Sequence, residues 1–174
     1  MKNLKILDVI GSGIDQKGIQ GLDLIELNAY SNKKITNVAF MKNLKKLHAD
    51  DSGINQKGIK GLDLIEFIVS DNKKIKNVTF MKNLKLLDVS GNCGIDQKGI
   101  KGLDLVELIA FDNSKIKNVS FMKNLKYLDA RGKCGINQKG IQGLDLIDIV
   151  ATKNDKIKDV AFMKKLIKVE IESQ

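Results

Sequence analysis

The strongest constraint on this chain is that it repeats itself at a fixed step. Phe-Met-Lys-(Asn/Lys)-Leu stands at 40–44, 80–84, 121–125 and 162–166, and Met1-Lys2-Asn3-Leu4 opens the chain in the same register. Aligned on the leading leucines, Leu4, Leu24, Leu44, Leu64, Leu84, Leu105, Leu125, Leu146 and Leu166, successive units are 20 or 21 residues long. A period in this range marks a solenoid, in which each unit buries its apolar side against the next and touches only its neighbours. Residues 1–174 are therefore expected to form a single domain of eight full repeats plus a terminal strand, with no linker to divide it.

From each leading leucine the frame runs L-x-x-L-x-L-x-x-N, filled by Leu84, Leu87, Val89 and Asn92 in the fifth unit and by Leu24, Leu27, Ala29 and Asn32 in the second. This frame resembles the leucine-rich repeat family along essentially the whole chain. The resemblance implies an α/β solenoid: an arc with a concave parallel β-sheet and short helical turns or irregular segments on the convex side. It also implies that Asn32, Asn72, Asn92, Asn113 and Asn154 satisfy backbone groups inside the turns. In odd units Ser12, Ser52, Cys93 and Cys134 each precede Gly-Ile and are placed to take that inward position instead.

The units alternate between two kinds, so the full period is 40 or 41 residues. Odd units run through Gly-Ile-Asp/Asn-Gln-Lys-Gly-Ile-x-Gly-Leu at 13–22, 53–62, 94–103 and 135–144. Asp15, Asn55, Asp96 and Asn137 are positioned there as N-caps of one helical turn, each side-chain oxygen accepting an orphan amide hydrogen. Even units read Ile-x-Asn/Asp-Val-x-Phe-Met-Lys, similar to the short-repeat subclass of bacterial internalins and phosphatase-regulating leucine-rich proteins. Phe stands where internalins often carry Pro, and Phe40, Phe80, Phe121 and Phe162 are expected to form a core spine. Units this short leave no room for a three-turn helix behind each strand, which predicts a shallow arc.

Composition narrows the function classes. The apolar runs are only a few residues long, too short for a membrane span, and the first residues already belong to the repeat, which predicts a cytoplasmic protein. Cys93 and Cys134 occupy the same loop position two units apart, roughly 10 Å at the strand spacing of a sheet, beyond the roughly 7 Å Cα limit for a disulfide. They are expected to be free, inert thiols, consistent with a reducing compartment. His48 is the single histidine, no phosphate or calcium loop occurs, and no nucleophile is evident beside it, so neither catalysis nor a cofactor nor a metal site is expected.

Function is expected where the repeat stops copying itself. In the frame the third, fifth and seventh positions alternate outward onto the open sheet face. They carry ten carboxylates against three cations, whereas the whole chain is +9. Tyr30, Phe111 and Tyr127, the aromatics that the core does not account for, all fall there, and so does Arg131, the one arginine. Exposed aromatics and arginine are enriched in binding hot spots. Ile109, Phe111, Tyr127, Asp129, Arg131 and Val150, on three adjacent strands, form the main candidate site, with Tyr30, His48 and Asp50 as a second patch. The expected role is non-enzymatic: binding a protein partner with a basic or mixed surface. The alternative is polyanion binding, to nucleic acid or an anionic membrane, by the lysine-rich convex and flanking surfaces. End-to-end self-association is a further expectation, because no atypical capping unit closes the array.

Overall fold

The computed structural model describes residues 3–171. Nine parallel strands of three residues form one sheet in strict chain order: β1 (Ile6–Asp8), β2 (Glu26–Asn28), β3 (Lys46–His48), β4 (Glu66–Ile68), β5 (Leu86–Asp88), β6 (Glu107–Ile109), β7 (Tyr127–Asp129), β8 (Asp148–Val150) and β9 (Lys168–Glu170). The chain is thus a parallel β-solenoid. Each turn of it is one rung. Register follows the sequence period without slippage, as in Leu27 opposite Leu47, Leu47 opposite Phe67 and Leu108 opposite Leu128. The middle residue of every strand from β2 to β8 is buried and its two neighbours face outward, as period-two alternation requires.

Behind the sheet the apolar frame positions close into one continuous core running from Val9 to Met163. Between rungs the buried asparagine does what its position predicts. Asn72 donates from Nδ2 to the Ala49 and Ile54 carbonyls of the preceding rung, both at 3.0 Å, while its Oδ1 accepts from the Lys74 amide at 3.0 Å. Asn32, Asn113 and Asn154 repeat the pattern. Asn92 does not: it is exposed, and Cys93 is buried in its place. Rungs that carry Cys93 and Cys134 have one residue more than those that carry Ser12 and Ser52, and the extra residue swings Asn92 and Lys133 out of the stack. The Asp71 and Asp112 side chains of the preceding rungs then accept the displaced amides of Asn92 and Lys133, each at 2.8 Å. Ser52 and both cysteines are buried as expected, and both thiols are free, whereas Ser12 in the first rung is exposed although its hydroxyl still donates to the Val9 carbonyl at 3.0 Å.

Two expectations are corrected. The first is the α/β class with its helical turns. Among the described residues there is no α-helix, only single 3₁₀ turns at Lys57–Ile59 and Gln138–Ile141. The capping bonds do form: Asp15, Asn55, Asp96 and Asn137 accept from the glycine amide three residues on at 3.0–3.2 Å. A helix does not follow, because the back of each of these even rungs is bonded to the next odd one at sheet spacing. The Val38, Val78 and Val119 amides donate to the carbonyls of Gly58, Gly99 and Gly140 at 2.9, 3.0 and 2.9 Å. A helix about 10 Å wide does not fit behind strands about 4.8 Å apart when the backs are stacked this closely.

The second correction concerns the phenylalanines. Phe80 and Phe121 are each 37% exposed, Phe40 and Phe162 are only partly buried, and the neighbouring Met41, Met81, Met122 and Met163 fill the core instead. At this corner Met41, Met81 and Met122 donate their amides to the valine carbonyls three residues back. Such a turn sends valine and methionine inward together and leaves the phenylalanine between them on the rim. Phe67, which stands in a frame-leucine position, is fully buried.

Candidate functional site

The outward positions of β6, β7 and β8 and the residues just beyond them bring the main candidate residues together. Glu107, Tyr127 and Asp148 stand in one cross-strand row, and Ile109, Asp129 and Val150 in the next. Both rows surround a hollow of about 250 Å³ whose lining also includes the backs of Leu108 and Leu128. Ile109 and Val150 are half-buried and supply its apolar surface, while Tyr127 stands 42% exposed beside them.

One residue past the strands, Phe111 and Arg131 are neighbours. The Arg131 guanidinium carbon lies 5.4 Å from the centre of the Phe111 ring, within the range of a cation–π contact. The same guanidinium grips Asp129, with Nη2–Oδ2 at 2.6 Å and Nε at 3.0 Å from both carboxylate oxygens. Asp129 also accepts the Arg131 amide at 3.1 Å. This ion pair holds the arginine pKa above its usual range and fixes a side chain that would otherwise sample many rotamers. A fixed guanidinium laid on an aromatic ring loses little further entropy when a partner covers it.

Tyr30, His48 and Asp50 are also adjacent. Asn28 pairs with His48 in register, and the Ser31 amide donates to the Asp50 carbonyl at 2.9 Å. His48 Nε2 is 3.5 Å from Glu66 Oε1, and Lys46 takes the other Glu66 oxygen at 3.0 Å. Burial, followed by the charge of Asp88, raises the Asp50 carboxyl above its usual range, although its amide contacts and His48 oppose the shift. The second patch is thus a polar network. Among the described residues no group of three or more His, Cys, Asp or Glu could hold a metal ion.

Two residues that the sequence did not single out also line the candidate hollow. Glu107 and Asp148 flank Tyr127 in register and line the hollow. A frame position alone shows only that they face outward. The signal that could have found them is the row itself, a tyrosine with a carboxylate on either side once the units are stacked. Also unmarked by the sequence are Gln16, Gln56, Gln97 and Gln138, which bridge each odd rung to the next even one. Gln56, for instance, accepts the Lys76 and Asn77 amides at 2.9 Å and donates to the Asn77 carbonyl at 2.9 Å. Their role is structural.

The lysines divide by environment. Lys74 and Lys156 donate to the Ser52 and Cys134 carbonyls at 3.2 and 2.7 Å, Lys115 donates to the Cys93 carbonyl, and Lys33 pairs with Asp51. Lys57, Lys76, Lys98, Lys117, Lys139 and Lys158 stay exposed on the opposite surface. No helix among the described residues is long and apolar enough to cross a membrane.

Fold and face together define a class: a parallel β-solenoid of alternating rungs carrying an open, variable sheet surface. Comparison with protein-family models, with curated proteins and with solved structures gave no match.

Proposed function

We propose that this chain is a recognition module of the short leucine-rich repeat kind, binding a protein partner on its outer sheet face and catalysing no reaction. The observation that carries the reading is the Phe111–Arg131–Asp129 cluster beside the hollow of Ile109, Tyr127 and Val150. The rest of the rung is copied nearly unchanged, yet these outward positions hold an aromatic pair, the single arginine and an apolar depression within three strands. That combination is what a hot spot needs: anchoring area, a pre-set charged group and a place for the partner to insert. Support for the leucine-rich assignment comes from the L-x-x-L-x-L frame, the consecutive parallel strands and the buried asparagine of the even rungs.

The test is affinity capture from lysate at moderate and high salt, comparing the native chain with a Phe111→Ala, Tyr127→Ala, Arg131→Ala triple variant of unchanged circular dichroism. A protein held by the native chain and lost by the variant is the expected result. Capture dominated by nucleic acid or lipid, indifferent to the substitutions and abolished by salt, would instead make the exposed lysine surface the working one.

A further inference from the structure

Charge is compensated unevenly around the hollow. Arg131 neutralises Asp129 from the outside. The cross-strand neighbour of Asp148 on β9 is Lys168, which pairs directly with Glu170 at 2.7 Å and reaches Asp148 only through its longer-range charge. Asp148 is left with an Oδ1 atom that is fully buried and has no hydrogen-bond partner among the described residues. Glu107, on the other side of Tyr127, makes no ion pair among the described residues, and burial together with Glu66 and Asp88 raises its carboxyl above the usual range. Two carboxylates that make no direct ion pair among the described residues therefore flank one exposed tyrosine ring, over an apolar surface formed by Ile109 and Val150.

We propose that this hollow receives one protruding basic side chain, lysine or arginine, of the protein partner. The chemistry of the lining matches the two halves of such a side chain. Its aliphatic stem lies along Ile109 and Val150, which keeps apolar surface from water, while its charged head reaches Glu107 and Asp148 across the tyrosine ring. A neutral or acidic side chain would cover the same apolar surface but leave Glu107 and the buried Asp148 oxygen desolvated without a hydrogen-bond donor, which costs free energy. The hollow is the element of the face that selects, whereas the Phe111–Arg131 pair contributes contact area. This inference rests on the sheet-face reading above and adds to it the identity of the inserted group.

The experiment uses the full chain and two blocked pentapeptides, glycines around a central lysine and the same peptide with acetyl-lysine, followed by backbone amide chemical shifts. The lysine peptide is expected to give saturable shifts centred on Glu107, Ile109, Tyr127, Asp148 and Val150, with the acetyl-lysine peptide binding roughly tenfold more weakly or not at all. A Glu107→Gln, Asp148→Asn variant should lose the response. A Glu26→Gln, Asp8→Asn variant, with the same change of net charge elsewhere on the face, should retain it. Equal binding of the two peptides, shifts spread over all surface carboxylates, or a response that survives Glu107→Gln, Asp148→Asn would overturn the proposal. Failure of the hollow is separable from failure of the face: a captured protein that the triple variant loses but the Glu107→Gln, Asp148→Asn variant keeps would leave sheet-face binding standing and remove the basic-side-chain inference.

Discussion

At residue scale, the clearest handles are groups whose ionisation the fold opposes. Glu107 is raised by desolvation first and by its acidic neighbours second. A carboxyl raised in the folded state contributes stability that is complete below its unfolded value and is lost as pH rises through the folded one. Removing the charge should therefore help at neutral pH. Glu107→Gln is expected to raise the melting temperature at pH 7, with the gain shrinking toward zero by about pH 3, below the ordinary glutamate value. Thermal unfolding of both proteins at the two pH values checks the sign.

The thiols behave in parallel. Burial pushes both Cys93 and Cys134 up to about 11, so an aromatic disulfide reagent at neutral pH should label neither until the chain unfolds. Ser52 shows what a hydroxyl does in the same slot, donating to the Ala49 carbonyl at 2.9 Å and accepting the Ile54 amide at 3.2 Å. Cys93→Ser is accordingly expected to shift stability by no more than about 1 kcal/mol in urea unfolding. Asn113→Ala strands the buried carbonyls of Val89 and Ile95, and a loss nearer 3 kcal/mol is expected there.

At the scale of the rung, the paired glycines separate two demands. A Cβ on Gly99 would lie far inside van der Waals contact of the Lys76 carbonyl oxygen of the preceding rung, whereas Gly102 has open space but sits at φ +76. Gly102→Ala should cost about 1 kcal/mol for the left-handed backbone. Gly99→Ala has to push rungs apart and should cost about 3 kcal/mol or more. Denaturant midpoints of the two variants decide the order.

The rung is also where the sequence was most and least legible. Period and frame placed every strand, the register, the outward positions and the inward asparagines of the even rungs, because all of these are properties of equivalence between units. Which way a corner residue points is not such a property. At Phe80-Met81 the side-chain alternation of a strand has already given way to a turn, and both residues are apolar, so nothing in the pattern chooses between them. The same holds for Asn92, where one inserted residue changes which side chain meets the core. Bridges such as Gln56 to Asn77 lie between rungs and become visible only when the stack is built.

At the scale of the molecule, the candidate site was half legible. Ile109, Phe111, Tyr127, Asp129, Arg131 and Val150 were legible because they break an otherwise repeated pattern, and the fold places them side by side. Glu107 was hidden by the opposite fact: glutamate recurs at its frame position in Glu26 and Glu66, so it reads as part of the repeat. Only its setting distinguishes it. Lys46 covers Glu66, whereas Tyr127 and Leu86 stand in register with Glu107.

Only consecutive strands touch in this sheet, and the register never slips. The solenoid therefore works as a ruler. The His48 strand β3 lies four rungs from β7, the Tyr127 strand at the centre of the hollow, a separation of roughly 19 Å at sheet spacing. Duplicating one 40- or 41-residue pair of rungs between them would move the two patches about 10 Å further apart while leaving each with its own neighbours intact. A partner that grips both patches would then fail to span the longer chain, whereas one that uses the hollow alone would bind it as before. Chain length between two fixed marks becomes an independent setting of specificity, adjustable in whole steps without redesigning either contact.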